Sequence, residues 1–183
     1  MHPDVKNILY SEEELSQRVR EMGALITERF ADTANDNGIV VISVLRGAAI
    51  FVADLVRCID LPLEMDYMAL SSYGNEATSS GRVRIEKDLS TSIEGRHVVI
   101  AEDIIDSGQT LQYLIPLLKK RNPASIDVVA LLHKEVEGQI PVDCLCTGFE
   151  CPNEFVVGYG LDYAQKYRNL PYIGILKPEV YQK

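Results

Sequence analysis

The sequence has no tryptophan and only 4 cysteines among its 183 residues. Cys58, Cys144, Cys146 and Cys151 make no CxxC pair. Cys144-x-Cys146 with Cys151 close by is at most a fragment of a zinc knuckle, because His2, His97 and His133 are scattered. Structural zinc takes four closely spaced ligands, so reduced, mostly buried thiols in a cytoplasmic protein are the expectation. Basic residues are also scarce: 18 Lys and Arg against 27 Asp and Glu leave a net charge of −9. A field of that sign repels nucleic acid and anionic membranes, and the densest basic clusters, 82–84 and 118–121, are short. Neither nucleic acid nor a membrane is expected as a partner. No apolar run approaches the roughly 18 residues of a membrane span. The opening MHPDVKNILYSEEEL has neither the basic nor the apolar region of a secretory signal, in keeping with a cytoplasmic location. GxGxxG and GxxxxGK[ST] are both missing, which excludes the common dinucleotide and P-loop readings.

What is present is ordinary globular composition, 46% hydrophobic and 25% charged, at a length that suits one domain over 1–183. Leu15, Val19, Met22, Ile26 and Phe30 recur at helical spacing, and Ser11 with Glu14 forms a capping box, so 11–34 is predicted as an amphipathic helix. The β-branched run 38–45 suits a strand buried on both faces. A helix over 48–59 and a strand over 63–70 follow. Residues 71–81, with four serines and two glycines, are predicted as a mobile loop. Strands over 97–101 and 125–133 flank a helix over 111–121 that tolerates Pro116. The alternation predicts an α/β fold, a doubly wound, mostly parallel sheet with right-handed crossovers. Its core is expected over about 11–140. The N-terminal segment and about 141–183 should form a small hood lobe over the sheet's carboxyl edge, where ligands of open α/β sheets bind.

The segment HVVIAEDIIDSGQTL carries the chemistry. A buried strand leads to the paired acids Glu102 and Asp103, a third acid, Asp106, and then Ser107, Gly108, Gln109 and Thr110 at a helix start. Gly108 permits a tight turn, and backbone amides at a helix N-terminus hold a phosphate without a basic side chain. The preceding acids suit sugar hydroxyls or a divalent cation. Taken alone, a DxG turn is most often a capped helix with solvated acids. The ordered combination of strand, acids, small-residue turn and helix points to a ligand instead.

VVIAEDIIDSGQT resembles the phosphoribosyl-pyrophosphate (PRPP) motif of the type I phosphoribosyltransferases. VISVLRGAAIF, SSYG, the lysine of LLHKE and FVVGYGLDYAQKYRNLPYIG narrow the resemblance to the hypoxanthine-guanine branch, over about residues 8–180. The resemblance implies transfer of ribose-5-phosphate from PRPP to hypoxanthine or guanine, with Mg2+ as cofactor and a homodimer or homotetramer as the assembly. It implies Glu102 and Asp103 on the ribose hydroxyls, directly or through the metal, and residues 106–110 on the 5′-phosphate. Asp106 would also face purine N7 as the catalytic acid–base. Lys134 would donate to the 6-oxo group, Phe155 would stack on the base, and Ile104 and Val156 would complete its pocket. Asp162 would border the base and place a second metal ion near pyrophosphate, which Arg168 would touch. Leu45, Arg46 and Gly47 would present amides to pyrophosphate around a cis peptide, and Ser72 and Tyr73 would head a lid. Outside the resemblance, Lys134 reads as a surface lysine, Phe155 as a small-lobe core aromatic, and Asp162 with Arg168 as a solvated pair. Arg46 stands where the family more often has lysine, which keeps the charge and changes its geometry. Two rivals are a non-enzymatic nucleic-acid regulator on the same fold, which lacks its basic patch here, and a pyrimidine- or adenine-specific transferase.

Overall fold

The computed structural model describes residues 1–33, 38–72 and 83–182. Helix α1 (Glu12–Phe30) follows strand β1 (Val5–Tyr10) and starts as the sequence predicts. Ser11 accepts from the Glu14 amide, and the Glu14 carboxylate accepts from the Ser11 amide. The buried stripe Leu15, Val19, Met22, Ile26 and Phe30 is the periodic set of the sequence. Strand β2 (Ile39–Leu45) is buried along nearly its whole length. Helix α2 (Ala49–Val56) is shorter than expected and is apolar rather than amphipathic.

Strand β3 (Leu63–Ser72) pairs antiparallel with β4 (Val83–Lys87), which the sequence reading missed because its side chains are charged and partly exposed. Strand β5 (His97–Ile105) extends four residues past the expected end at 101. Helix α3 (Gln109–Lys119) runs through Pro116, held by burial of Leu111, Leu114 and Leu118. Strands β6 (Ser125–Lys134) and β7 (Cys146–Cys151) complete a six-stranded sheet of order β4-β3-β2-β5-β6-β7, parallel except for β4. α1 and α2 cover one face of this sheet and α3 the other, which makes it doubly wound.

Strand β7 changes the expected partition of the chain. Residues from about 141 are placed in the hood by sequence, yet Cys146–Cys151 lies beside β6 in the main sheet. Its half-buried pattern and single aromatic make a weak strand signal, and pairing with β6 supplies what the sequence does not. The hood sheet consists of β1, β9 (Ile173–Leu176) and β8 (Val156–Val157), in the order β1-β9-β8. A short helix α4 (Pro178–Tyr181) follows β9. β8 stops after two residues because Gly158, at φ 102°, and then Tyr159, at φ 50°, turn the chain out of the extended region. The expected loop 71–81 falls, beyond Ser72, outside the described residues.

Candidate functional site

The carboxyl ends of β2, β5 and β6 converge on two cavities. One, of about 350 Å3, is lined by Leu45, Gly47, Glu102, Asp103, Ile104, Asp106, Ser107, Gly108 and Thr110, among others. The second, of about 310 Å3, is lined by Arg46, Lys134, Phe155, Val156, Asp162 and Arg168, and it shares Gly47, Asp103, Ile104 and Asp106 with the first. Nearly all the residues singled out by sequence therefore border one pair of adjoining spaces. Gln109 lines neither, and faces solvent at the first turn of α3. Ser72 ends β3, and Tyr73 lies outside the described residues.

Glu102 and Asp103 belong to β5 instead of following it. Strand alternation sends successive side chains to opposite sides of β5, yet at the end of the sheet both carboxylates border the first cavity. Burial pushes the Glu102 carboxyl well above the usual range, with the Asp103 charge adding to the effect. Its Oε1 is a buried side-chain oxygen with no partner among the described residues. Burial likewise raises Asp103, to about 6, against the Ile104 amide that donates to its Oδ1 at 2.9 Å and the Arg168 charge. Asp103 packs directly on the turn after β2. A Cβ added at Gly47 would lie 1.6 Å from Asp103 Oδ2, so only glycine admits this approach. The Leu45–Arg46 peptide is cis, at the place where the resemblance implies one.

The phosphate turn is built by its carbonyls. Gly108 caps α3 at φ +78°, a left-handed conformation suited to glycine, and no side chain caps the helix. Gln139 Nε2 donates to Asp106 O, the Ile140 amide donates to Ser107 O, and the Gln112 amide donates to Gly108 O. All three carbonyls are thus satisfied from outside the cavity. No described residue accepts from the amides of Ser107, Gly108 and Thr110. Unpaired amides at the N-terminus of a helix form an anion cradle.

The second cavity combines apolar and cationic walls. Lys134 ends β6, and its Nζ donates to Glu154 O at 3.2 Å. Phe155 is exposed on one side and stacks on Tyr181 at 5.1 Å between centroids, with Tyr163 edge-on at 5.5 Å. Arg168 is paired with Asp162 at 2.7 Å and donates to Gly160 O at 2.7 Å and Gln165 Oε1 at 3.0 Å. Gln165 Oε1 also accepts from Arg46 at 3.2 Å, so one side-chain carbonyl ties both guanidiniums. Sequence reasoning did not find Gln139, Gln165, Tyr163 or Tyr181. Gln139 acts through loop contacts that no local periodicity encodes and Tyr181 carried no motif, while Tyr163 and Gln165 lie within FVVGYGLDYAQKYRNLPYIG without having been singled out there.

The comparisons with known proteins agree with this geometry. Residues 11–164 match the Phosphoribosyl transferase domain family. The hypoxanthine-guanine phosphoribosyltransferase of Bacillus subtilis is 52% identical over 182 residues, covering 100% of this chain and 99% of that protein. A bifunctional TilS/HprT protein of Listeria innocua is 51% identical over 183 residues, and there this chain spans only 28% of the relative's length. Among solved structures, a Staphylococcus aureus hypoxanthine phosphoribosyltransferase superposes with a TM-score of 0.92 at 43% identity, over 100% of this chain and 97% of that one. A Trypanosoma cruzi hypoxanthine phosphoribosyltransferase in complex with IMP gives a TM-score of 0.92 at 41% identity, over 99% of each chain. On both the matched motifs and the fold that carries them, the chain belongs to the hypoxanthine-guanine phosphoribosyltransferase family of type I phosphoribosyltransferases.

Proposed function

We propose that this chain transfers the 5-phosphoribosyl group of PRPP to N9 of hypoxanthine or guanine and releases pyrophosphate. One observation carries the reading: a cradle of unpaired amides and a pocket of Lys134, Phe155 and Val156 open from the same residues, Asp103, Ile104 and Asp106. A phosphorylated sugar lying in the first cavity places its anomeric carbon at the entrance to the second. In the reaction the C1′–oxygen bond to pyrophosphate breaks, the C1′–N9 bond forms, and the purine loses one proton.

The phosphate turn, residues 106–110, holds the 5′-phosphate through backbone amides. Glu102 and Asp103 take the ribose hydroxyls from the floor of the cavity. Lys134 donates to the 6-oxo group, and the exposed face of Phe155 stacks on the base, with Ile104 and Val156 beside it. Asp106, exposed at the junction of the cavities, accepts the purine proton or the charge that develops at N7. The amides around Leu45, Arg46 and Gly47, with Arg168, stabilise negative charge gathering on the departing pyrophosphate. The expected lid headed by Ser72 and Tyr73 lies outside the described residues except for Ser72 itself.

A divalent cation suits part of this site. No group of three His, Cys, Asp or Glu side chains is gathered for a metal among the described residues. A fully protein-made cage is therefore absent there. The desolvated Asp103 and the cavity-lining Asp162 do suit a cation that completes its sphere with substrate oxygens and water, the habit of magnesium. Glu102, buried and with one oxygen unpartnered, lines the first cavity and serves the ribose. When bound, the cation neutralises the pyrophosphate charge that this acidic chain would otherwise repel. Assembly as a homodimer or homotetramer is part of the same proposal.

Steady-state turnover of PRPP with hypoxanthine, guanine, xanthine and adenine, in excess magnesium, tests the reading. IMP and GMP formation with little AMP supports it. Preference for adenine or a pyrimidine, or no transfer at all, overturns it.

A further inference from the structure

We propose that Gln139 is a positioning residue that sets the phosphate-cradle amides and Lys134 together. Strands β5 and β6 are parallel and last in register at Ile105↔His133. Asp106 is the first residue past β5, and Lys134, the last of β6, is still paired with Cys151 of β7 but has no partner left on β5. The connection after β6 returns to this edge, and Gln139 lays its amide across both strand ends. Nε2 donates to Asp106 O at 2.5 Å and to Lys134 O at 2.8 Å. Both hydrogens of one NH2 group are used, which makes the side chain an added rung of the sheet. From behind, Gln139 Oε1 lies 3.2 Å from His133 Nε2, and His133 Nδ1 lies 3.2 Å from Glu150 Oε2 on β7. The amide is thus held by β6 and β7 while it holds β5.

The effect on the cradle follows from the planarity of the peptide. In a trans peptide the C=O and the next N–H point in opposite directions. Fixing Asp106 O outward turns the Ser107 N–H toward the cavity. Ile140, the next residue of the same strap, fixes Ser107 O by donating its amide at 3.0 Å, which turns the Gly108 N–H the same way. The strap packs on the turn without slack, since a Cβ at Gly108 would lie 2.5 Å from Ile140 O. Two consecutive donors of the cradle are therefore aimed from residues 139–140. Gln139 also fixes the peptide that follows Lys134, the proposed reader of the base. This inference rests on the phosphoribosyl-transfer reading for what the cradle binds.

The test compares Gln139→Met, of similar reach with no donor, and Gln139→Asn, with the donors one methylene short. KM for PRPP, kcat, Tm and the 15N order parameters of the Ser107 and Gly108 amides in the free protein are measured. Gln139→Met is expected to raise KM for PRPP about tenfold, the equivalent of one hydrogen bond. The order parameters of the Ser107 and Gly108 amides should fall while Tm holds. Gln139→Asn should move the same quantities in the same direction, and it decides the matter if Gln139→Met does not fold. An unchanged KM with unchanged order parameters overturns the proposal. So does a lowered Tm with KM intact, the signature of a mere stitch between strands. If the unmodified chain transfers nothing from PRPP, the transfer reading fails alone, and the order parameters still decide Gln139.

Discussion

The ammonium of Lys134 can only donate hydrogen bonds, and this is the strongest selectivity available at the second cavity. In the proposed reading a 6-oxo purine would accept there, whereas the amino group of adenine would leave both donors unpaired, a penalty of roughly 1–3 kcal/mol. Lys134→Gln offers a donor and an acceptor, so the ratio of kcat/KM for hypoxanthine over adenine should fall. A ratio that stays put would return base selection to the backbone around Phe155. Asp106 invites a complementary substitution. Asp106→Asn keeps a polar side chain of equal size but cannot take a proton, so kcat should drop about 10- to 1000-fold with KM for PRPP little changed. Single-turnover rates would check this free of product release; an unaltered rate would reduce Asp106 to a structural member of the turn. Asp106 was legible in the sequence as the acid before a small-residue turn and a helix, whereas Lys134 was singled out only through the family resemblance and otherwise reads as a surface lysine. Gln139 and Gln165 were not, since their partners are carbonyls and guanidiniums brought near only by folding.

At the scale of elements, helix α1 and the turn after β2 behave differently under substitution. Ser11 caps α1 far from the cavities, so Ser11→Ala should lower stability by about 1 kcal/mol, or a Tm shift of about 2–4 °C, with kcat/KM unaltered. Gly47→Ala is the opposite case. The new Cβ would collide with Asp103 Oδ2 at 1.6 Å, forcing the turn or the carboxylate out of place. Misplacement on that scale costs about 100-fold in kcat/KM, while the core packed around α2 keeps the fold. Thermal melting beside turnover separates the outcomes, and a Gly47→Ala protein of normal activity would remove Asp103 from the reacting centre. The elements themselves were readable wherever burial is one-sided or complete, as in α1, β2 and β6. β1, β4 and β7 escaped because edge and half-exposed strands have weak patterns and take their definition from a neighbour.

For the whole molecule, the buried acids make stability and function pull apart. Asp103 ionises near 6 in the fold, above its ordinary value of 3.8, chiefly because of burial. Between about pH 4 and 6 the folded chain holds more protons than the unfolded one, so this group's contribution to stability declines as pH rises through that window. Above it the deficit is constant, of the order of 1–3 kcal/mol. Asp103→Asn should therefore raise Tm relative to the unmodified protein at pH 8 but hardly at pH 4, and should lose activity. A Tm difference independent of pH would contradict the burial of this carboxylate. Excess chelator should abolish transfer, since Asp103 and Asp162 are assigned to a cation; full activity without divalent metal would dismiss that assignment.

The sequence by itself determined the layering of this protein. Its β-branched runs can be buried on both faces only inside a parallel sheet, and the acid-rich turn before α3 can bind a phosphate through amides that local chain geometry supplies. What it left undecided was settled by contacts between distant segments. Strand alternation within an extended β5 put Glu102 and Asp103 on opposite faces, and pairing with β6 drew Cys146–Cys151 into the main sheet. The cradle's amides are aimed by carbonyl partners at 139 and 140, and both arginines are tied through Gln165. Periodicity records which side chains leave water, and these arrangements depend instead on hydrogen bonds whose two ends lie far apart along the chain.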